Sequence, residues 1–395
     1  MKEFLEGSRA VAEIIKLCKP GVISAYPITP QTHIVEELAQ MVADGELNAQ
    51  FVNVESEHSA ASVVLGAVAT GVRAFTATSS QGLLYMAEVL FNISGLRLPL
   101  VMTCANRAIS APINIWNDQQ DSVSLRDSGW IQFYAENIQE AADLHLLGYR
   151  LSEDKSIMLP VMVCMDGFIL THGMETVDIP QQEDVDKFLA GYKPLYKLDP
   201  AEPFTMGMLA DPDYYLETRF AIQETFKDVL KMIPKLNEEF KNHFGRDYKD
   251  GLIEEYFTRD AEKVIVAMGS VCGTIKEVVD AQRAKGKKVG LLKLISYRPF
   301  PYTRVYDALK DVPRVAVLDK AVSPGAYAPL AIEVKAAFFG KKKSPKVVSS
   351  FVAGLGGRDI TLESVKEIFG KLTQKEITLE FIDLKPELLK EEYGQ

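Results

Sequence analysis

Two short segments, Asn53-Val-Glu-Ser-Glu-His-Ser59 and Ala25-Tyr-Pro-Ile-Thr-Pro30, carry residue types that could do chemistry in one place. Each lies where a strand-like run gives way to a helix-like one, which is where open α/β sheets bind ligands. Glu57 is flanked by Val52, Val54 and the small apolar run from Ala60 to Val68. A carboxylate in such surroundings is costly unless it is paired, protonated or set against a basic group. The plainer alternative is a solvated glutamate at a helix start, favoured by the helix dipole. Arg107 follows the apolar run Leu98 to Cys104. Its planar fork suits a carboxylate substrate, which it can hold with two parallel hydrogen bonds. An ion pair with Asp118 or Asp121 is the competing role. Ser79-Ser-Gln-Gly82 and Gly354-Leu-Gly-Gly357 lack the lysine of a P-loop and the glycine spacing of a dinucleotide site, so neither reads as a phosphate cradle.

The elements that must position these residues alternate. Residues 8–18 read as a helix closed by Lys19-Pro20-Gly21, and Val22 to Ala25 as a buried strand. Pro27 and Pro30 hold the next turn extended, and Thr32 opens a helix to Val42. Strands follow at 51–54, 73–78 and 98–104, with helices at 59–71 and 79–92 between them. A helix at 137–151 leads to a strand over Val161 to Cys164. This rhythm predicts a doubly wound parallel sheet. Residues 192–212 read as a surface loop, 217–244 as a long amphipathic helix and 245–259 as polar. A second α/β unit begins at Val264. The expected organisation is a first domain over 1–250, a smaller α/β domain over 258–370, and a charged tail over 371–395 that extends along a partner or frays.

Seven strings occur in order. They are Tyr26-Pro-Ile-Thr-Pro-Gln31, Val54-Glu-Ser-Glu-His-Ser59, Thr76-Ala-Thr-Ser-Ser-Gln-Gly82, the segment Asn106 to Asp118, Arg126-Asp-Ser-Gly-Trp-Ile-Gln132, Tyr297-Arg-Pro-Phe-Pro301 and Gly354-Leu-Gly-Gly-Arg-Asp359. Together they resemble the alpha subunits of the multi-subunit pyruvate:ferredoxin oxidoreductases, within the 2-oxoacid:ferredoxin oxidoreductase family. The resemblance implies a thiamine-diphosphate-binding domain of pyrimidine type, followed by a domain like the C-terminal domain of transketolase. It implies oxidative decarboxylation of pyruvate, with the acyl group passed to coenzyme A and electrons to ferredoxin. It assigns Glu57, rather than Glu55, to the aminopyrimidine of the cofactor. His58 itself reads as a structural hydrogen-bonder rather than a catalytic base. The resemblance assigns Thr29 and Arg107 to the substrate, and Tyr26 and Pro27 to the cofactor side. The loop Pro112 to Gln120 would frame the pocket, with Asn114 or Asn117 donating to a cofactor or substrate oxygen.

The chain lacks a Gly-Asp-Gly with a downstream Asn, the pattern that in thiamine enzymes holds magnesium and the diphosphate. The cofactor is therefore expected to be shared with a partner subunit. Mg2+ and [4Fe–4S] clusters are expected on beta, gamma and delta type partners and not on this chain. Its four cysteines, Cys18, Cys104, Cys164 and Cys272, are scattered with no C-x-x-C spacing, as neither a cluster nor a zinc site would have them. They fit a reducing cytoplasm. The formal net charge of −10 disfavours nucleic acid and anionic membranes as partners. No signal-peptide core and no apolar run near ~18 residues is present, so a soluble cytoplasmic chain is expected. Alternatives are the same chemistry on a branched-chain or aromatic 2-oxoacid, a noncatalytic scaffold subunit, and a Rossmann-type nucleotide module.

Overall fold

The computed structural model describes residues 2–393. The chain folds as two compact units: the residues up to Glu254 with Met268–Ser270 and Leu294–Pro301, and Glu255–Ala267, Val271–Lys293 and Tyr302 onward. The first unit contains strands β1 (Lys2–Glu6), β2 (Val22–Ser24), β3 (Gln50–Val52), β4 (Ala74–Thr78), β5 (Val101–Asn106), β6 (Ile131–Tyr134), β7 (Val161–Asp166) and β8 (Met174–Asp178). Its helices are α1 (Gly7–Cys18), α2 (Thr32–Ala43), α3 (Glu57–Ala69), α4 (Ser80–Tyr85), α5 (Ala87–Gly95), α6 (Gln120–Ser124), α7 (Ile138–Ser152), α8 (Gln182–Leu189) and α9 (Pro212–Phe244).

Strands β2 to β7 form a parallel sheet in the order β6-β7-β5-β4-β2-β3, and Ser296–Arg298 joins antiparallel to β6. β4, β5 and β7 are buried along their whole length. Burial on both faces is why they read as unbroken apolar runs rather than alternating ones. The chain passes from β2 outward to β3, then returns through α3 to lay β4 on the other side of β2. That reversal opens a crevice at the carboxyl ends of β2 and β4. Ser56 caps α3 with an extended backbone, accepting the Ser59 N–H at 3.2 Å, so Glu57 is the first helical residue.

A six-stranded sheet has the strand order Glu380–Phe381, Val347–Val352, Arg314–Asp319, Lys263–Met268, Val289–Leu294 and Ile253–Tyr256. The core of the second unit gathers Ile265, Ile275, Val279, Leu291, Leu318, Phe351 and Ile368. Both units are α/β, the class read from the sequence. Residues 2–6, which carry no sequence reading, are a strand paired antiparallel with β8. Three local readings change. The single helix expected over 79–92 is two, α4 and α5, meeting at Met86. The polar stretch 245–259 contains the strand Ile253–Tyr256. The tail supplies the parallel edge strand Glu380–Phe381 and buries Ile382 in the core, because Val347–Val352 would otherwise leave an open edge. Among the described residues no helix is long and apolar enough to cross a membrane.

Candidate active site

Glu57 enters the crevice from the start of α3. A Cβ on Gly82 would lie 2.7 Å from Glu57 Oε1 and 2.7 Å from Thr78 Oγ1. Glycine at 82 is therefore what lets α4 lie against this carboxylate. The hydroxyls of Thr78 and Ser79 are buried without a hydrogen-bond partner among the described residues. Orphaned buried polar groups are uncommon, and here they cluster beside a half-buried carboxylate. The neighbouring Glu55 is exposed, and the Ser59 hydroxyl donates to its carboxylate and holds it below the usual carboxylate range. Glu57 thus combines the two sequence readings, a helix-start glutamate that also faces the sheet. His58 lies 3.8 Å from Glu88 and rests near the Tyr85 ring.

Arg107 follows directly on β5 and is buried to 6% exposure. Its Nε donates to the Asn114 carbonyl and its Nη1 to the Thr29 carbonyl, each at 2.9 Å. The ion pair with Asp118 or Asp121 does not form. Asp118 accepts from the N–H and side chain of Gln120, and what Arg107 gives Asp121 is its backbone N–H, at 3.0 Å, not its guanidinium. Burial lowers the Arg107 pKa from its ordinary value, with Asp121 opposing. Two carbonyls orient the guanidinium without neutralising it, and Nη2 has no partner among the described residues. That geometry leaves a positive fork for an incoming anion.

Asp121 joins the two halves. Its Oδ2 accepts from the N–H groups of Ser80 and Arg107, both at 3.0 Å, and its Oδ1 from Asn106 and Ser122 at 2.8 and 2.7 Å. Burial lifts its pKa to about 6 despite these donors. The Ser80 bond holds that residue at a φ of 51°, a conformation rare for a side-chain-bearing residue, and so turns β4 sharply into α4. Gln31, wholly buried, donates at 2.6 Å to the carbonyl of Ala77 and accepts the Ile28 N–H at 3.2 Å. It fastens the Tyr26–Pro30 turn to β4. Gln81 bonds Ser110 across the same crevice.

The structure therefore brings Glu57, Arg107 and the turn carrying Thr29 to one switch point, with Tyr26, Pro27 and Thr29 exposed on the turn. Asn114 and Asn117 build the neighbouring loop. Asn114 Oδ1 accepts from the Trp116 N–H at 2.8 Å, and Asn117 Nδ2 donates to the Asn106 carbonyl at 3.3 Å. From sequence alone Asp121 reads only as an ion-pair partner of Arg107, Gly82 only within a rejected phosphate cradle, and Gln31 has no role. Gly82, directly after a strand-to-helix turn, was the one with a visible signal. The residues fit half of a thiamine site: a carboxylate, free hydroxyls and small residues suit an aminopyrimidine ring.

The family profile described as pyruvate flavodoxin/ferredoxin oxidoreductase, thiamine diphosphate-binding, matches residues 13–238. Pyruvate:ferredoxin oxidoreductase core domain II matches residues 261–365. The pyruvate synthase subunit PorA of Methanothermobacter thermautotrophicus is 51% identical over 97% of this chain and 98% of its own length. The ketoisovalerate oxidoreductase subunit VorA of Pyrococcus horikoshii is 43% identical over 93% of each. Among solved structures, a 2-oxoglutarate:ferredoxin oxidoreductase from Magnetococcus marinus, with 2-oxoglutarate, coenzyme A and succinyl-CoA bound, superposes with a TM-score of 0.71 at 20% identity. It shares the fold over 94% of this chain, which spans 65% of that one. With both profiles matched in order and a relative half identical end to end, the chain belongs to the pyruvate flavodoxin/ferredoxin oxidoreductase family and carries its thiamine diphosphate-binding domain.

Proposed function

We propose that this chain is the alpha, pyrimidine-side subunit of a pyruvate:ferredoxin oxidoreductase. The reaction converts pyruvate and coenzyme A to acetyl-CoA and CO2, and passes the electron pair to ferredoxin through partner subunits. The observation that carries this reading is the Asp121 junction, which holds the Glu57 wall and the Arg107 fork at one switch point. Thiamine diphosphate, when bound, supplies the nucleophilic carbon and the electron sink for decarboxylation. Glu57 shares a proton with the pyrimidine nitrogen, and its half-buried position supports that role. Arg107 binds the substrate carboxylate through its free Nη2 and the second hydrogen of Nη1, and Thr29 offers its hydroxyl from the adjoining turn. Asn114 and Asn117 shape the pocket wall.

Beta, gamma and delta type partners supply the diphosphate side of the site, Mg2+ and the [4Fe–4S] clusters. All four cysteines here are buried and scattered along the sequence with no C-x-x-C spacing, which supports placing the clusters elsewhere. The 43% identical ketoisovalerate relative favours a second reading, a branched 2-oxoacid as substrate. Copurifying the complex and assaying a panel of 2-oxoacids separates the readings. Pyruvate is expected to give the highest kcat/KM. A preference for 2-oxoisovalerate or phenylglyoxylate overturns the substrate assignment, and no turnover with any 2-oxoacid by the complete complex leaves this chain a scaffold.

A further inference from the structure

Three titratable side chains converge at a place the reaction does not use. Glu6 ends β1, His33 is the second residue of α2, and His172 lies in the connection between β7 and β8. Their ligand atoms all lie within 4.8 Å of one another. His33 Nδ1 is 2.7 Å from Glu6 Oε1, and the two imidazole centroids are 4.5 Å apart. Among the described residues no other group of three histidine, cysteine or carboxylate ligands gathers so closely.

Backbone bonds fix each contributor. Glu6 pairs in register with Met174, and the N–H groups of Gly7 and Ser8 donate to the carbonyls of Gly173 and Thr171 at 3.0 and 2.9 Å. Glu6 and His172 are thus locked on adjoining strands of chain. His172 Nδ1 is 2.7 Å from the Thr171 hydroxyl, which also accepts the Phe168 N–H at 2.8 Å. This bond orients the ring and leaves Nε2 without a partner among the described residues. A metal-binding histidine is commonly held in this way through its other nitrogen.

We propose that Glu6, His33 and His172 form a zinc-type site, binding a divalent late first-row transition ion through two imidazoles and one carboxylate, with water completing the shell. Two nitrogens and one oxygen are a donor set zinc takes, whereas magnesium and calcium call for oxygen ligands. Metal–ligand bonds near 2.0–2.1 Å set donor atoms about 3.3 Å apart, so the 2.7 Å His33–Glu6 contact must open slightly and the more separated atoms close by roughly an ångström, which half-buried rotamers can do. The ion would brace the substrate turn. His33 stands three residues after the cis Thr29–Pro30 bond. A Cβ on Gly167, at the start of the His172 connection, would lie 2.6 Å from Pro30 Cγ.

The test uses the full chain, stripped with a chelator and titrated with zinc chloride by calorimetry, with Co2+ absorption as a second readout. One equivalent should bind at micromolar affinity or tighter and raise the melting temperature, and Co2+ should give an imidazole-ligand spectrum. His33→Gln and His172→Gln should each weaken binding at least ~10-fold, and should abolish the Co2+ signal. His243→Gln, on α9, should leave both readouts unchanged. Absence of saturable one-to-one binding by the unaltered chain overturns the proposal. So does binding that survives both histidine substitutions.

Discussion

At the residue scale, the choice between two carboxylates two positions apart rests on orientation. Glu55 points to solvent with Ser59 as its partner, while Glu57 lies against Gly82 and the free hydroxyl of Thr78. In the assembled complex, Glu57→Gln should leave assembly intact and lower turnover by roughly 100- to 10,000-fold, the range of a lost general acid–base contribution. Glu55→Gln should change it little. A reversed pair of kcat values would move the role to Glu55. Arg107→Ala should raise KM for the 2-oxoacid by about 10- to 150-fold, corresponding to ~1.5–3 kcal/mol for a charge-assisted bond. It should leave the apparent affinity for thiamine diphosphate nearly unchanged, and Arg107→Lys should recover part of the loss. Steady-state kinetics read beside thermal melts decide the matter. A lowered melting temperature with KM unmoved would reduce Arg107 to a clasp for the Thr29 and Asn114 carbonyls.

At the element scale, the strands buried on both faces and the helix α7 were legible because their apolar pattern depends on neighbours close in sequence. The reading failed where pairing is long-range. Lys2–Glu6 becomes a strand only through Met174–Asp178, far along the chain. The Gln31–Ala77 bond spans 46 positions, so a buried glutamine there had no local signal. Arg107 was legible as a charged residue at a strand end, but its carbonyl partners were not, since they follow from how the two loops fold together. Asp121 belongs to the same class and carries a pH signature. Its folded-state pKa, lifted by burial to about 6, lies above the ~3.9 of an unfolded aspartate. Between those values the folded chain binds more protons than the unfolded one, so the stability this group contributes falls as pH rises from about 4 to 6. Asp121→Asn removes that titration but sets an amide NH2 among four N–H donors, leaving some unsatisfied at about 1–3 kcal/mol each. The variant should melt below the parent throughout, and the gap should narrow as pH rises through this window. A constant gap in pH-dependent melts would mean Asp121 stays ionised in the fold.

At the scale of the whole molecule, the proposed function has this chain supply one side of a cofactor site. Glu57, Thr78 and Ser79 can meet a pyrimidine ring, but the sequence contains no Gly-Asp-Gly motif to hold magnesium and the diphosphate. The diphosphate is the most strongly charged part of the cofactor, and its ion-mediated contacts should dominate affinity. The purified single chain should therefore show no saturable micromolar binding of thiamine diphosphate with Mg2+ by calorimetry, and no 2-oxoacid turnover. Adding the copurified partner subunits should restore both together, because one shared site is completed at one step. Micromolar binding and turnover by the chain alone would refute the shared site. Binding without turnover would leave the electron path, but not the diphosphate contacts, to the partners.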